Sequence, residues 1–200
     1  SSSSAASDVY KRQGSVKLYQ WDDKDPILKA WQKVFPGTVT PMSQMSADLI
    51  AHMRYPEDLF NVQRTMMASY HVDDAAEFYS GGDFWKIPDD PTTPGQDQQA
   101  PYYLTLKMPG QEQASFSLSS AYIIGGNTNR NVLTGFLAVD SETSPGTGKK
   151  GERSPSYGKL RLLELPRSSN VAGPGQVQNI FDSNPEISKE LNLLSQEGSQ

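Results

Sequence analysis

The two stretches that decide the fold lie in the middle of the chain: Phe116-Ser-Leu-Ser-Ser-Ala-Tyr-Ile-Ile124 and Val132-Leu-Thr-Gly-Phe-Leu-Ala-Val139. Each is rich in aromatic, aliphatic and β-branched side chains and is bounded by turn-forming residues, which is typical of a strand. The same pattern predicts strands over residues 102–108 and 157–165. We therefore expect the central part of the chain to form a sheet of antiparallel type.

Helical periodicity surrounds this central part. Asp25 is suited to cap a helix and Pro26 fits the first helical position, and apolar residues then recur at helical spacing up to Phe35. The other predicted helices begin near Ser46, Pro56 and Asp73 before the strands, and near Pro174 and Pro185 after them. The sequence thus predicts an α+β fold, with N-terminal helices, central antiparallel-type strands and C-terminal helices.

The composition excludes several classes of function. The 200 residues carry a net charge of −5, of mixed sign and without a basic stripe, so nucleic acid is not expected as a partner. The sequence contains no run of about 18 apolar residues, which a membrane-spanning helix would need. It also contains no cysteine, which excludes disulfides, thiolate metal sites and a cysteine nucleophile.

The first residues need separate treatment. Residues 3–13 (SSAASDVYKRQ) resemble the in-frame translation of a transposon-end adapter used to prepare sequencing libraries. Such residues have to be excluded from fold reasoning, so we expect residues 1–13 to be an adapter-derived artefact outside the fold. Residues 14–200 are expected to be an interior segment of one soluble domain. Its loop over residues 141–156, rich in Gly, Ser, Pro and charge, is expected to be flexible.

The two histidines offer little support for a metal or catalytic site. His52 and His71 are far apart in sequence, and neither belongs to the H-E-x-x-H pattern of zinc proteases. His71 is expected at a helix end, where a cation is favoured by the helix dipole. We expect both to have structural roles.

Other polar motifs are also explained by local structure. The acids of Asp22-Asp23-Lys24-Asp25 and Asp89-Asp90 lack the spacing, glycine and distal glutamate of a calcium loop, so turns and caps are expected. Gly125-Gly126-Asn127 lacks the Lys-Ser/Thr ending of a phosphate-binding loop. Gly173-Pro174-Gly175 precedes a helix, where an anion could bind, but proline removes one backbone donor and a plain turn is expected.

Acidic and aromatic residues complete the set of candidates. Glu57 and Asp58, with Arg64 on the same predicted helix, occupy the first turn, where acids favour the helix dipole rather than mark catalysis. The aromatic residues that could line a groove for sugar or lipid are Trp21, Trp31, Trp85, Tyr102 and Tyr103; a place in the core is the commoner role of such side chains. No catalytic, cofactor-binding or metal-binding residue is therefore predicted, no cofactor is expected, and the ligand-binding residues stay open.

Six short strings carry a resemblance to a known family. They are residues 54–60 (RYPEDLF), 83–88 (DFWKIP), 101–104 (PYYL), 157–161 (YGKLR), 173–179 (GPGQVQN) and 190–194 (ELNLL). With these strings in this order, the chain resembles uncharacterised protein family 0182, large multi-pass membrane proteins of actinobacteria. The resemblance covers roughly residues 16–196.

The resemblance implies a location and narrows the function. Family members carry transmembrane helices followed by a long soluble region on the outer side of the membrane, and this chain is similar to the middle of that region. It would then be attached to the cell membrane through helices outside this segment and lie on the extracytoplasmic side. The resemblance implies no catalytic residue. We expect a non-enzymatic role in binding, assembly or envelope transport. The alternatives are an envelope glycan or lipid hydrolase or transferase, with an active site partly outside this segment, and a purely structural scaffold.

Overall fold

The computed structural model describes residues 5–10, 15–92, 97–126, 130–144 and 149–197. Its helices and its mainly antiparallel strands confirm the predicted α+β class. The helices are α1 (Pro26–Val34), α2 (Ala47–His52), α3 (Glu57–Tyr70), α4 (Ala75–Ser80), α5 (Pro174–Ser183) and α6 (Pro185–Glu197). The strands are β1 (Ala5–Tyr10), β2 (Ser15–Gln20), β3 (Val39–Thr40), β4 (Trp85–Lys86), β5 (Tyr102–Leu106), β6 (Ser115–Ile124), β7 (Leu133–Asp140) and β8 (Leu160–Glu164).

The main sheet is built around β6, the longest strand. Its order is β4-β6-β7-β8, with β5 also paired to β6, and every pairing is antiparallel. β4 pairs with the end of β6 at Ile123 and Ile124, whereas β5 pairs with its first half. β6 therefore pairs with β5 along its first half and with β4 at its end. The chain around β4 consequently lies at one end of the sheet.

The larger core lies between α3 and one face of this sheet. Strand alternation places Leu118 and Tyr122 of β6 on the same face, where they pack with Phe60 of α3. The Tyr122 hydroxyl donates a hydrogen bond of 2.7 Å to the Arg64 carbonyl, which satisfies a polar group inside this core. Burial raises the pKa of the Tyr122 phenol well above its ordinary value of 10.

A smaller core gathers around the N-terminal elements. Its buried members are Tyr19, Trp21, Met45 and Ile50. β2 contributes to this region as the central strand of a three-stranded sheet, antiparallel to β1 and parallel to β3. Tyr157 packs against both cores, and burial raises the pKa of its hydroxyl to about 12. This one aromatic side chain therefore joins the two halves of the structure.

The structure bears on two expectations from the sequence, for residues 1–13 and for the loop over 141–156. β1 lies within residues 1–13 and pairs with β2 over six residues, so this stretch is not outside the sheet as expected; its adapter origin stays a prediction. The loop over 141–156 has anchored parts. Ser141 accepts a hydrogen bond of 2.9 Å from the Tyr55 amide, and the buried Thr143 hydroxyl donates to the Ile50 carbonyl. Residues 145–148 lie outside the described chain.

Candidate functional site

A cleft of about 470 Å³ opens at the end of the main sheet that carries β4. We call it the Trp85 cleft. Its lining comes from the ends of five elements and from the segment after β8: His71, Val72, Asp73, Asp74, Glu77, Gly82, Asp83, Phe84, Trp85, Ile124, Gly125, Val132, Leu133, Thr134, Glu164, Leu165, Pro166, Arg167 and Ser169. Because turns and strand ends supply nearly all of it, the cleft depends on the fold rather than on one motif.

Local chain signals place the acidic wall. α3 ends at Tyr70, and Asp74 starts α4 by accepting hydrogen bonds from the amides of Ala76 and Glu77 at 2.8 and 2.9 Å. Gly81, with φ of +66°, ends α4 in the left-handed conformation that glycine adopts without steric cost. The short helix therefore lies between two turns, and both turns direct carboxylates toward the cleft.

One arginine, Arg167, contacts two of these carboxylates. The Nη2 atom of Arg167 lies 3.1 Å from a Glu77 carboxylate oxygen and 2.5 Å from an Asp83 oxygen. The carboxylates of Asp83 and Glu77 raise the pKa of the Arg167 guanidinium, which keeps it charged. Among the described residues, five carboxylates line the cleft, with Asp73, Asp74 and Glu164 as the others, so carboxylates outnumber the guanidinium.

Aromatic and apolar side chains also line the cleft. The His71 ring stacks on Trp85 with centroids 3.5 Å apart and planes 19° apart, and its Nδ1 donates to the Met67 carbonyl at 2.9 Å. Trp85 also lies against β7, where a Cβ on Gly135 would stand 2.6 Å from the ring atom Cζ3. Glycine at this position therefore lets the indole approach the strand backbone.

The sequence model of "Uncharacterised protein family (UPF0182)" matches residues 7–194. The chain belongs to this family. The resemblance found in the six strings is thereby confirmed, and the match begins inside the stretch attributed to an adapter.

The relatives are UPF0182 proteins of actinobacteria. The one from Kocuria rhizophila is 56% identical over 192 residues, which cover 94% of this chain and 19% of the relative. That from Micrococcus luteus is 54% identical, over 94% of this chain and 18% of the relative. The chain thus spans about a fifth of the length of the curated relatives it matches. No solved structure matches it. Within the described residues of this UPF0182 chain, no helix has both the length and the apolar character needed to cross a membrane.

The aromatic candidates do not form a single groove. Of the set considered from sequence, only Trp85 lines the cleft. Trp21 lies in the smaller core with Arg153 above its ring at 5.1 Å, Trp31 is exposed on α1, and Tyr103 stacks on Phe116 at 5.2 Å. The set of aromatic residues chosen from sequence therefore included one residue of the cleft, but it could not indicate where in the fold the cleft lies.

The polar candidates have local or buried partners. Asp25 caps α1 through hydrogen bonds to two amides, and His52 Nδ1 donates to the Asp48 carbonyl at 2.6 Å. The guanidinium of Arg64 is buried and donates to the Gln99 carbonyl at 2.7 Å, and burial lowers its pKa. Glu57 and Asp58 lie in the first turn of α3, as expected.

The glycine motifs have different environments. The amide of Gly175 at the start of α5 donates to the Asn131 side-chain oxygen at 3.2 Å, so that donor already has a partner that an anion would have to displace. Gly125 lines the cleft at the point where a Cβ would meet the Phe84 carbonyl oxygen at 2.1 Å. Asn127, the last residue of that motif, lies outside the described residues.

The cleft's charged residues were missed from sequence because no local spacing connects them. Glu77 and Asp83 are 90 and 84 positions from Arg167. The sequence signal nearest to the site is the DFWKIP string, which contains Asp83, Phe84 and Trp85. That string carried the family resemblance, and its role in the cleft becomes visible only in three dimensions.

Proposed function

We propose that this chain is part of the outer soluble region of a multi-pass membrane protein of the actinobacterial envelope, and that it binds a ligand in the Trp85 cleft without converting it. The family supports the first half of this proposal only through the resemblance drawn from sequence. The single observation that carries the second half is the mixed lining of the cleft, in which five carboxylates and one arginine accompany Trp85 and aliphatic side chains.

The walls indicate the chemistry of the ligand. Carboxylate oxygens accept hydrogen bonds, so a molecule that satisfies them must offer several donors. The apolar wall, which includes Trp85, Leu133 and Leu165, favours a ligand with a carbon-rich face. A neutral or amino-bearing envelope glycan has both features, because its hydroxyl and ammonium groups donate while the ring hydrogens pack on apolar side chains.

The arginine argues for binding over catalysis at this cleft. A general acid that acts on a glycosidic bond has to hold a proton near neutral pH. Glu77 and Asp83 both contact the Arg167 guanidinium, at 3.1 and 2.5 Å, so both side chains are engaged as acceptors of its hydrogen bonds. The enzyme alternative would therefore need an acid from elsewhere in a longer chain, and the scaffold alternative would leave the cleft without a ligand.

Binding can be tested with a series of soluble oligosaccharides that differ only in acetylated against free amino groups. We expect saturable binding by calorimetry. The dissociation constant should rise by at least about tenfold in Glu77→Gln and in Asp83→Asn. Glu190→Gln on α6, an exposed carboxylate outside the cleft lining, is the control. Arg167→Ala should strengthen binding of the amino-bearing sugar, because two carboxylates lose their internal partner. Mass spectrometry of the same mixtures separates the alternatives: new products would indicate an enzyme, and no binding to any sugar would leave the scaffold.

The location can be tested because the chain has no cysteine. Tyr79 is 95% exposed on α4, so Tyr79→Cys provides an accessible thiol in this segment, in a full-length protein whose cysteines outside the segment have been replaced. A membrane-impermeant maleimide should label it on intact cells. Phe60→Cys, at a fully buried position, is the negative control. Labelling of the Tyr79→Cys variant only after cell lysis would contradict the proposed extracytoplasmic location.

A further inference from the structure

Helix α1 presents an apolar surface that the described part of the chain leaves uncovered. The exposed fractions are 68% for Ile27, 59% for Trp31, 67% for Val34 and 49% for Phe35. These residues recur at helical spacing, and the rings of Trp31 and Phe35 stack with centroids 5.2 Å apart. Leu28 is the residue of α1 that is buried, so the helix is fixed at one flank while this surface faces solvent.

The charges on α1 differ from those of the chain as a whole. Between Pro26 and Phe35 the helix carries Lys29 and Lys33 and no carboxylate, although the chain has a net charge of −5. The three aspartates that precede the helix lie at its N-terminal end, whereas the aromatic pair and Lys33 lie in the last turn and just beyond it. A short helix with tryptophan and phenylalanine on one side and lysine on the other has the composition of an interfacial membrane helix.

The size of the surface favours a lipid layer over a protein partner. A helix of this length is about 14 Å long and about 10 Å wide, so its exposed side projects on the order of 140 Å². A specific protein interface buries about 800 Å² on each partner, which this helix alone cannot supply. A lipid surface needs no matching shape, because the apolar side chains enter the acyl boundary while lysines remain among the headgroups.

We propose that α1 docks this segment onto an anionic lipid surface, with Ile27, Trp31, Val34 and Phe35 inserted and Lys29 and Lys33 at the headgroups. The site is independent of the Trp85 cleft, so a ligand-free cleft would not affect it. It is also distinct from attachment through transmembrane helices, because the contact is made by a helix of the soluble region itself.

The first test measures flotation of the 200-residue chain with vesicles of phosphatidylcholine and phosphatidylglycerol in equal parts. We expect binding, and a loss of at least about tenfold in the partition coefficient for Ile27→Ser/Trp31→Ser. The matched control is Val62→Ser/Met66→Ser on α3, where the side chains are 58% and 54% exposed. All three proteins should have the same circular dichroism, since the changed residues are exposed. Equal loss in the control pair, or no vesicle binding at all, would overturn the proposal.

The charge contribution has its own control. Lys29→Glu/Lys33→Glu should weaken binding to the mixed vesicles and leave the weak binding to pure phosphatidylcholine unchanged, whereas Lys107→Glu/Lys150→Glu alters the net charge equally at exposed positions elsewhere. Equal effects of the two pairs would contradict a role of α1 in particular.

Brominated acyl chains provide the last measurement, which does not depend on folding of a polar variant. They should quench Trp31, and Trp31→Phe, which keeps the surface apolar, should remove the quenched emission while binding persists. A monomer–dimer equilibrium that Ile27→Ser/Trp31→Ser abolishes, with no quenching, would assign the surface to a second copy and refute the lipid proposal.

Discussion

Gly135→Ala is the change that most directly tests how the Trp85 cleft is built. Gly135 lies in β7 directly under the Trp85 indole, and its Cβ would stand 2.6 Å from Cζ3 and 2.8 Å from Cη2 of that ring. Contacts this short are repulsive, so either the ring or the strand has to move. Overpacking of this kind costs typically about 1–3 kcal/mol, and we expect a loss within that range in the free energy of unfolding.

The movement has a predictable direction. Trp85 is confined between β7 and the His71 ring, so displacement of the indole away from the strand has to disturb the 3.5 Å stack and the apolar wall of the cleft. Urea denaturation measures the stability, and near-ultraviolet circular dichroism measures the tryptophan environment. Gly82→Ala is the control, because its Cβ would meet no atom closer than 3.4 Å. We expect it to change stability by less than about 0.5 kcal/mol.

A double-mutant cycle decides whether the ring is the cause. Trp85→Phe removes the outer part of the indole, so Gly135→Ala should cost much less in that background, with a coupling energy of about 1 kcal/mol or more. The reasoning is refuted if Gly135→Ala costs the same in both backgrounds, because the penalty would then come from the strand and not from the contact with Trp85.

Further predictions concern the cores and the chain ends. Tyr122→Phe removes the 2.7 Å hydrogen bond to the Arg64 carbonyl and should cost about 1 kcal/mol in urea denaturation. Burial raises the pKa of Tyr157 to about 12, and the unfolded chain ionises this residue near pH 10. The contribution of Tyr157 to stability should therefore be fully present below about pH 10 and be lost as the pH rises toward 12, and Tyr157→Phe should reduce the slope of stability in melts between these values. Pro56→Ala, at the junction that separates α2 from α3, should cost on the order of 1 kcal/mol by freeing the unfolded chain. If residues 1–13 are adapter-derived, their deletion should leave the melting temperature unchanged, and a clear drop would show that the β1–β2 pairing is native.

The elements that could be predicted from sequence carry their signal within a few residues. α1 has a capping aspartate, a proline at its first position and apolar residues at helical spacing, and all three signals correspond to what the structure contains. β7 was indicated by its apolar run over residues 136–139, and β6 by aromatic and aliphatic residues among small serines; both strands are buried in the middle of the sheet. β3 and β4 were missed, since two residues have no periodicity and these strands exist only through their pairing with β2 and β6.

Loop composition misled the prediction at Ser141 and Thr143. Serine and threonine beside glycine and proline are typical of exposed loops, yet both residues are fully buried. The Thr143 hydroxyl donates to the carbonyls of Ile50 and Met53, at the end of α2 and just after it, and the Ser141 hydroxyl accepts a hydrogen bond from the Tyr55 amide. Such a role depends on a helix ninety residues away, and local composition cannot indicate it.

Arg167 shows why the cleft is better understood as a binding surface than as a stabilising feature. Its side chain is 75% exposed, and ion pairs of exposed groups contribute little to stability because water and salt screen them. The guanidinium nevertheless occupies the point where Glu77 and Asp83 converge, which is also where a ligand's ammonium or hydroxyl donors would bind. A ligand with such donors would replace an internal donor that costs little to release, since the freed arginine is already largely hydrated. The arrangement therefore holds two carboxylates close together and leaves them available to a ligand at small energetic cost.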